Sequence, residues 1–256
     1  MGGGIFVARQ AFKMRRADEK RRLVIRCPKR RFPLGGSMYA RPQPGADGEG
    51  VYPHSYERLG RQRGWHVSAV LYDPSPRSTT PRRVTMQVVC GRDLGKVTPP
   101  HTHVFVRPGE TKTAIAKCPG RRHLFSGGFQ RTNFVTRGGN FVTESRAVDS
   151  RTWRVTGSAF GGFGGEMTAI AYCTRGKRPL LREVSATAFL DLGALGTPVT
   201  PTCPKGHRMT VGGFSSHGST TLVGDGVFTR KGRWMASGYA EGGATNFSAI
   251  GYCLKV

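Results

Sequence analysis

Short runs of alternating apolar and polar residues, interrupted by glycine, proline and Asp-Ser pairs, mark strands and turns along the chain. Thr111 to Ala116 alternates in this way up to Cys118, and Val104-Phe105-Val106 runs into the turn pair Pro108-Gly109 before it, so a hairpin is expected there. Phe141-Val142-Thr143, Trp153-Arg154-Val155-Thr156 and Met167 to Tyr172 read as further strands. Thr220 to Val223, Trp234 to Tyr239 and Phe247 to Tyr252 repeat the pattern downstream. With 37 glycines and 16 prolines in 256 residues, long helices are disfavoured. No stretch approaches the roughly 18 uncharged apolar residues that a membrane-spanning helix needs, so no membrane span is expected.

The strands recur in three similar units. Cys27-Pro28, Cys118-Pro119 and Cys203-Pro204 each open a segment, and Gly35-Gly36, Gly127-Gly128 and Gly212-Gly213 follow. Each segment then contains one tryptophan, Trp65, Trp153 or Trp234, and ends in a run leading to Cys90, Cys173 or Cys253. Units of 1–90, 91–173 and 174–256 fill the chain, each with about six short strands. The first diverges most, and its Pro/Gly-rich stretch from Arg41 to His54 reads as an inserted surface loop. Met1 to Ala8 lacks the apolar core of a signal peptide. Phe6-Val7-Ala8 aligns with Val104-Phe105-Val106, so the sequence starts near a unit boundary, as expected of a secreted protein whose leader lies outside it.

Six cysteines allow fifteen pairings. Only pairing within units, Cys27 with Cys90, Cys118 with Cys173 and Cys203 with Cys253, makes the three units alike. Each bridge closes a long loop, worth up to ~4 kcal/mol in the chain-entropy model. With no C-x-x-C and a proline directly after three of the thiols, neither zinc nor another metal or cofactor is expected. Persistent disulfides imply an oxidising compartment, hence an extracellular or cell-surface location.

The order Cys203-Pro204-Lys205-Gly206, Gly212-Gly213-Phe214, Trp234 and Tyr252-Cys253 resembles two groups. The nearer is a largely uncharacterised C-P-x-G…G-G-F…W…A-x-C repeat of secreted bacterial proteins. The more distant is the vitelline membrane outer layer protein I family, whose three Greek-key sheets form a β-prism. The resemblance implies an all-β fold of three antiparallel repeats with pseudo-threefold symmetry and a binding or matrix role. The first unit departs from the pattern, with Arg30 at the motif glycine and Ser37 at the motif phenylalanine.

Forty basic against 15 acidic residues give a net charge of +25, of which the three units carry +12, +7 and +6. Arg15, Arg16, Arg21, Arg22, Arg26, Lys29, Arg30 and Arg31 crowd around the first cysteine, with Arg82-Arg83 before the last strand of that unit. Arginine outnumbers lysine 30 to 10, which suits bidentate contact with phosphate or carboxylate. These residues are the candidate polyanion site, for an anionic polysaccharide or another polyanion, with nucleic acid as an alternative partner.

Trp65, Trp153 and Trp234 are candidate stacking platforms for sugar rings, weighed against the core packing expected of the largest apolar side chain in a thin β unit. Before each stand a basic residue (Arg63, Arg151, Arg233) and, further back, an acidic one (Glu57, Glu144, Asp225), expected to bridge and brace a hairpin. His101 and His103 are read as solvated imidazoles on opposite faces of a strand. No G-x-S-x-G, H-E-x-x-H or P-loop is present, and the acids are spread along the chain, so an enzyme is not expected. The sequence points to a secreted, basic, disulfide-bonded binding protein for anionic or carbohydrate polymer, with a purely structural or assembly module as the remaining alternative.

Overall fold

The computed structural model describes residues 5–16, 19–41, 50–59, 63–72, 81–92, 97–132, 134–135, 138–175, 181–216, 220–227, 232–240 and 242–255. Their regular structure is all strand: β1 (Phe6–Met14), β2 (Lys20–Arg26), β3 (Phe32–Arg41), β4 (Gly50–Leu59), β5 (Gly64–Tyr72), β6 (Arg82–Gly91), β7 (Val97–Thr98), β8 (His101–Val106), β9 (Thr111–Lys117), β10 (His123–Arg131), β11 (Phe134–Val135), β12 (Gly138–Ala147), β13 (Thr152–Phe160), β14 (Gly165–Thr174), β15 (Leu181–Leu190), β16 (Leu195–Gly196), β17 (His207–Ser216), β18 (Thr220–Val227), β19 (Trp234–Ala240) and β20 (Thr245–Lys255). The expected strands form, and the stretch read as an insertion resolves into the end of β3 and the start of β4, with 42–49 outside the described residues.

Within each third of the chain the strands divide between two antiparallel ladders in the same way. In the first third these are β1-β6-β3 and β2-β5-β4, in the second β8-β14-β10 and β9-β13-β12, and in the third β15-β20-β17 and β16-β19-β18. The strands β8 and β9 are therefore not the hairpin expected of them. Pro108-Gly109, with Gly109 at φ 76°, carries the chain from one ladder to the other, where each strand finds its own partner. The pairing also corrects the alignment at the start of the chain. Ala11 opposite Thr85 matches His103 opposite Thr168, so the counterpart of Val104–Val106 is Phe12–Met14.

Two seams join ladders of successive thirds. Phe129 pairs with Tyr56 between β10 and β4, and Phe214 pairs with Ser145 between β17 and β12, which makes two seven-stranded sheets. Two three-stranded sheets remain, so the described residues form four sheets and not the three of a pseudo-threefold β-prism. The physical reason lies in a few residues. A Cβ at Gly128 would overlap the Tyr56 carbonyl oxygen, and one at Gly213 the Ser145 carbonyl oxygen, so only glycine lets those backbones meet. By register the same place in the first third is Ser37. Beside it β3 lies along β18 without a ladder, bridged instead by side chains.

The seams have a second common device. The Tyr172 hydroxyl accepts the Arg58 N–H at 2.6 Å, and the Tyr252 hydroxyl accepts the Ala147 N–H at 2.9 Å, so each tyrosine before a closing cysteine satisfies the neighbouring unit's backbone. The corresponding residue of the first third is Val89, which has no hydroxyl to offer. At the unpaired seam the buried Asp225 accepts the Tyr56 hydroxyl at 2.8 Å, Met38 N–H donates to Tyr56, and the Gln87 amide has no partner among the described residues.

The disulfides are Cys27–Cys90, Cys118–Cys173 and Cys203–Cys253, one in each third, as the repeat requires. No helix among the described residues is long and apolar enough to cross a membrane.

Candidate functional site

Trp65, Trp153 and Trp234 are each no more than 2% exposed, so none offers a surface to a sugar ring. Each indole packs on a glycine of the other ladder in its third, Gly36, Gly127 or Gly212, where a Cβ would intrude on the ring. The equivalent glycines are therefore Gly36, Gly127 and Gly212, one position off the alignment of the Gly-Gly pairs in the first unit. Met38, not Ser37, takes the place of the motif phenylalanine, facing the core like Phe129 and Phe214.

The expected acid and base pairs do not meet. Glu144 is bound by Arg146 and Arg154, each at 2.6 Å, while Arg151 donates to the Cys118 carbonyl and Arg63 lies over the Phe32 ring. Burial opposes ionisation of Glu144, but hydrogen bonds from Arg154, Arg146 and Thr156 hold its carboxyl below the usual range. Asp225 is the reverse case, with burial pushing its carboxyl up to about 8 against the pull of the Tyr56 and Met38 hydrogen bonds.

The basic residues of the first unit cluster along one sheet edge. Lys20, Arg21, Arg22 and Arg26 lie on β2, the outermost strand of a seven-stranded sheet, and all are exposed. Arg15 and Arg16 precede the strand, and their backbone amides, together with Arg21, hold Glu19. Lys29 and Arg30 are exposed in the turn after Cys27, with Arg31 half-buried at its end. Arg30 stands at φ 63°, the left-handed region that Gly206 occupies in the third unit at φ 78°. A non-glycine residue there costs roughly 1 kcal/mol, so this arginine is held against a local penalty.

Behind the β2 edge the outer face of the sheet carries a polar row that crosses six strands. Successive pairings place Arg22 beside Ser68, Ser68 beside Ser55, Ser55 beside Gln130, Gln130 beside Thr168 and Thr168 beside His103. With adjacent strands about 4.8 Å apart, the row extends roughly 24 Å. Two open hollows of about 230 and 290 Å³ lie along it and share Glu57, Gln130 and Thr168. Glu57 accepts from His66 Nδ1 and from Gln130 Nε2, and the His66 bond outweighs burial to hold its carboxyl below the usual range. His103 faces Glu166 at 3.0 Å. The half-buried His54 imidazole is pushed down to about 3 by desolvation and by Arg131, Lys20 and Arg22, and its Nε2 has no partner among the described residues.

His101 and His103 share this face, with ring centroids 5.0 Å apart, because residues two apart on a strand point the same way. The opposite-face reading therefore fails on strand period alone. Phe105, the next residue in that series, is 57% exposed at the far rim.

The second seven-stranded sheet repeats the row at equivalent positions: Thr187, Ser248, Ser215, Glu144, Thr156 and Thr113. There the groups satisfy one another. Thr187 bonds Ser248 at 2.7 Å, Thr113 bonds Thr156 at 3.0 Å, Thr156 donates to Glu144 at 2.9 Å, and two arginines neutralise that carboxylate. The row beside β2 is bonded in part as well, Ser55 to Ser68 at 2.6 Å and His103 to Thr168 at 3.2 Å, but it carries the two hollows, the unpartnered His54 nitrogen and, where the second row has Thr113, the guanidinium of Arg22. No family model matches the chain, and no curated protein is significantly similar to it.

The sequence alone does not mark Ser55, Ser68, Gln130 and Thr168 as members of a site. Each is an ordinary polar strand residue whose parity is readable locally, but the burial of Ser55, Ser68 and Thr168 and the register across the β4–β10 seam are not.

Proposed function

We propose that the protein is a secreted, non-enzymatic binding protein for an anionic or carbohydrate polymer at the cell surface or in a matrix, held along β2 and the polar face beside it. The observation that carries this reading is the continuity of the two: Arg22 belongs both to the basic edge strand and to the wall of the hollow containing His54, Glu57 and Gln130. A bound chain would gain charge contacts at the edge and hydrogen bonds on the face. Three disulfides suit an oxidising extracellular setting, and the resemblance to secreted repeats agrees with it.

Replacing Arg21, Arg22, Arg30 and Arg31 together by Ser is expected to weaken polyanion binding and to reduce its salt slope by about one for each anionic group left unneutralised. Stability should stay within about 1 kcal/mol of wild type, since exposed charges contribute little to folding. Unchanged binding at low salt in this variant would mean that the charge serves another surface.

A further inference from the structure

We infer that the ligand of this face is a carboxylated glycan, lying across the strands with an acidic group at Arg22 and a sugar ring against Phe105. This rests on the function proposed for the face and narrows it from polyanions in general to one class.

Three features select that class. The groups along the row are hydroxyl, amide and imidazole, with Gln130 and His103 the more accessible and Ser55, Ser68 and Thr168 recessed beside them, which suits the hydroxyls of an extended glycan rather than a uniform line of charge. Glu57 and Glu166 line the hollow that Arg22 borders, where they would repel a ligand carrying a phosphate on every unit but can accept hydrogen bonds from sugar hydroxyls. Arg22 is the exposed guanidinium of the hollows and stands at one end; Arg131 is buried against the Pro53 and Asn140 carbonyls, and Arg58 is half-buried in the other hollow. A guanidinium presents the paired donors that a carboxylate accepts. At the other end Phe105 gives an exposed apolar ring of the kind on which the flat face of a sugar can rest. The other exposed rings beside it, His101 and His103, lie 5.0 Å apart on the same strand, so the aromatic side chains gather at one rim and do not form the spaced series of platforms along the face that successive nucleic-acid bases need.

The equivalent position on the second sheet is Phe189, 65% exposed but beside a row that has Thr113 in place of Arg22 and a Glu144 already neutralised by two arginines. Phe189 therefore serves as an internal control.

The test uses the full chain, with oligogalacturonate, its methyl ester, polyphosphate and single-stranded DNA as probes in titration calorimetry at low salt. Oligogalacturonate should bind best, and its methyl ester more weakly. Gln130→Ala and Phe105→Ser should each weaken oligogalacturonate binding by about tenfold, Arg22→Gln should abolish the preference for the acid over the ester, and Phe189→Ser should change nothing. Phe105 is exposed, so its variant remains informative even if Gln130→Ala disturbs the β4–β10 seam. If polyphosphate or DNA binds as tightly as oligogalacturonate, and only the four-arginine variant weakens it, this inference is wrong while the proposed function stands. Equal losses at Phe105 and Phe189 would also overturn it. If none of the probes binds, both fall.

Discussion

Asp225 sits where β18 of the third unit meets β3 and β4 of the first, and its chemistry is set by where it is buried. Its carboxyl titrates at about 8 in the folded protein against an ordinary 3.8, so between those values the unfolded chain ionises while the folded one keeps its proton. Stability should fall as pH rises through that window, by at most about 1.4 kcal/mol per unit, and level off above it. His54 works in the opposite direction and elsewhere. Its folded value of about 3 lies below the usual 6.5, so it costs stability only as pH falls from 6.5 towards 3. Between pH 6.5 and 8 Asp225 acts without His54. Asp225→Asn is therefore expected to remove the decline over that interval and to stabilise the protein at pH 8, as read by denaturant midpoints across pH. An unaltered slope in the variant would place the titration on another group.

At the scale of strands, the seams depend on very small differences. Gly213 lets β17 approach the Ser145 carbonyl, whereas Ser37 occupies the matching place with a Cβ already present. Gly213→Ala should cost about 3 kcal/mol or more, because backbone rather than a movable side chain must give way, while Ser37→Ala should cost less than about 1 kcal/mol. Urea unfolding of the two variants measures both, and similar losses would refute the steric origin of the missing ladder. The same logic accounts for the closing tyrosines. Removing the Tyr252 hydroxyl would strand the half-buried N–H of Ala147, whereas Val89 has no such role at its own seam.

For the molecule as a whole, the consequence is that the three junctions are not equivalent. Two are held by ladder pairs and a tyrosine hydroxyl, the third by Asp225 and Tyr56 beside an unsatisfied Gln87. Native-state hydrogen exchange should report it: Met38 and Asp225 amides are expected to be at least about tenfold less protected than Phe129 and Phe214 amides, since local openings start where buried bonds are fewest. Equal protection at all three would mean that the side-chain bridge is as strong as a ladder.

Much of the architecture is written locally. Cysteine spacing, the tryptophan in each unit and the alternation of Trp153 to Thr156 or Phe247 to Tyr252 specify three similar β units and their disulfides, because strand period and covalent pairing are set by residues within one unit. The burial of the tryptophans is legible in part, through the glycine pairs that precede them, although which glycine lies beneath the indole depends on register. What the sequence leaves open depends on contacts between units. Whether β3 and β18 pair, whether Arg22 and Gln130 share a face, and whether Glu144 meets Arg154 or Arg151 are decided by how separate strands are brought side by side. A strand's own residues determine which side chains face outward, but only the tertiary register determines which of them become neighbours, and the binding face is made of neighbours.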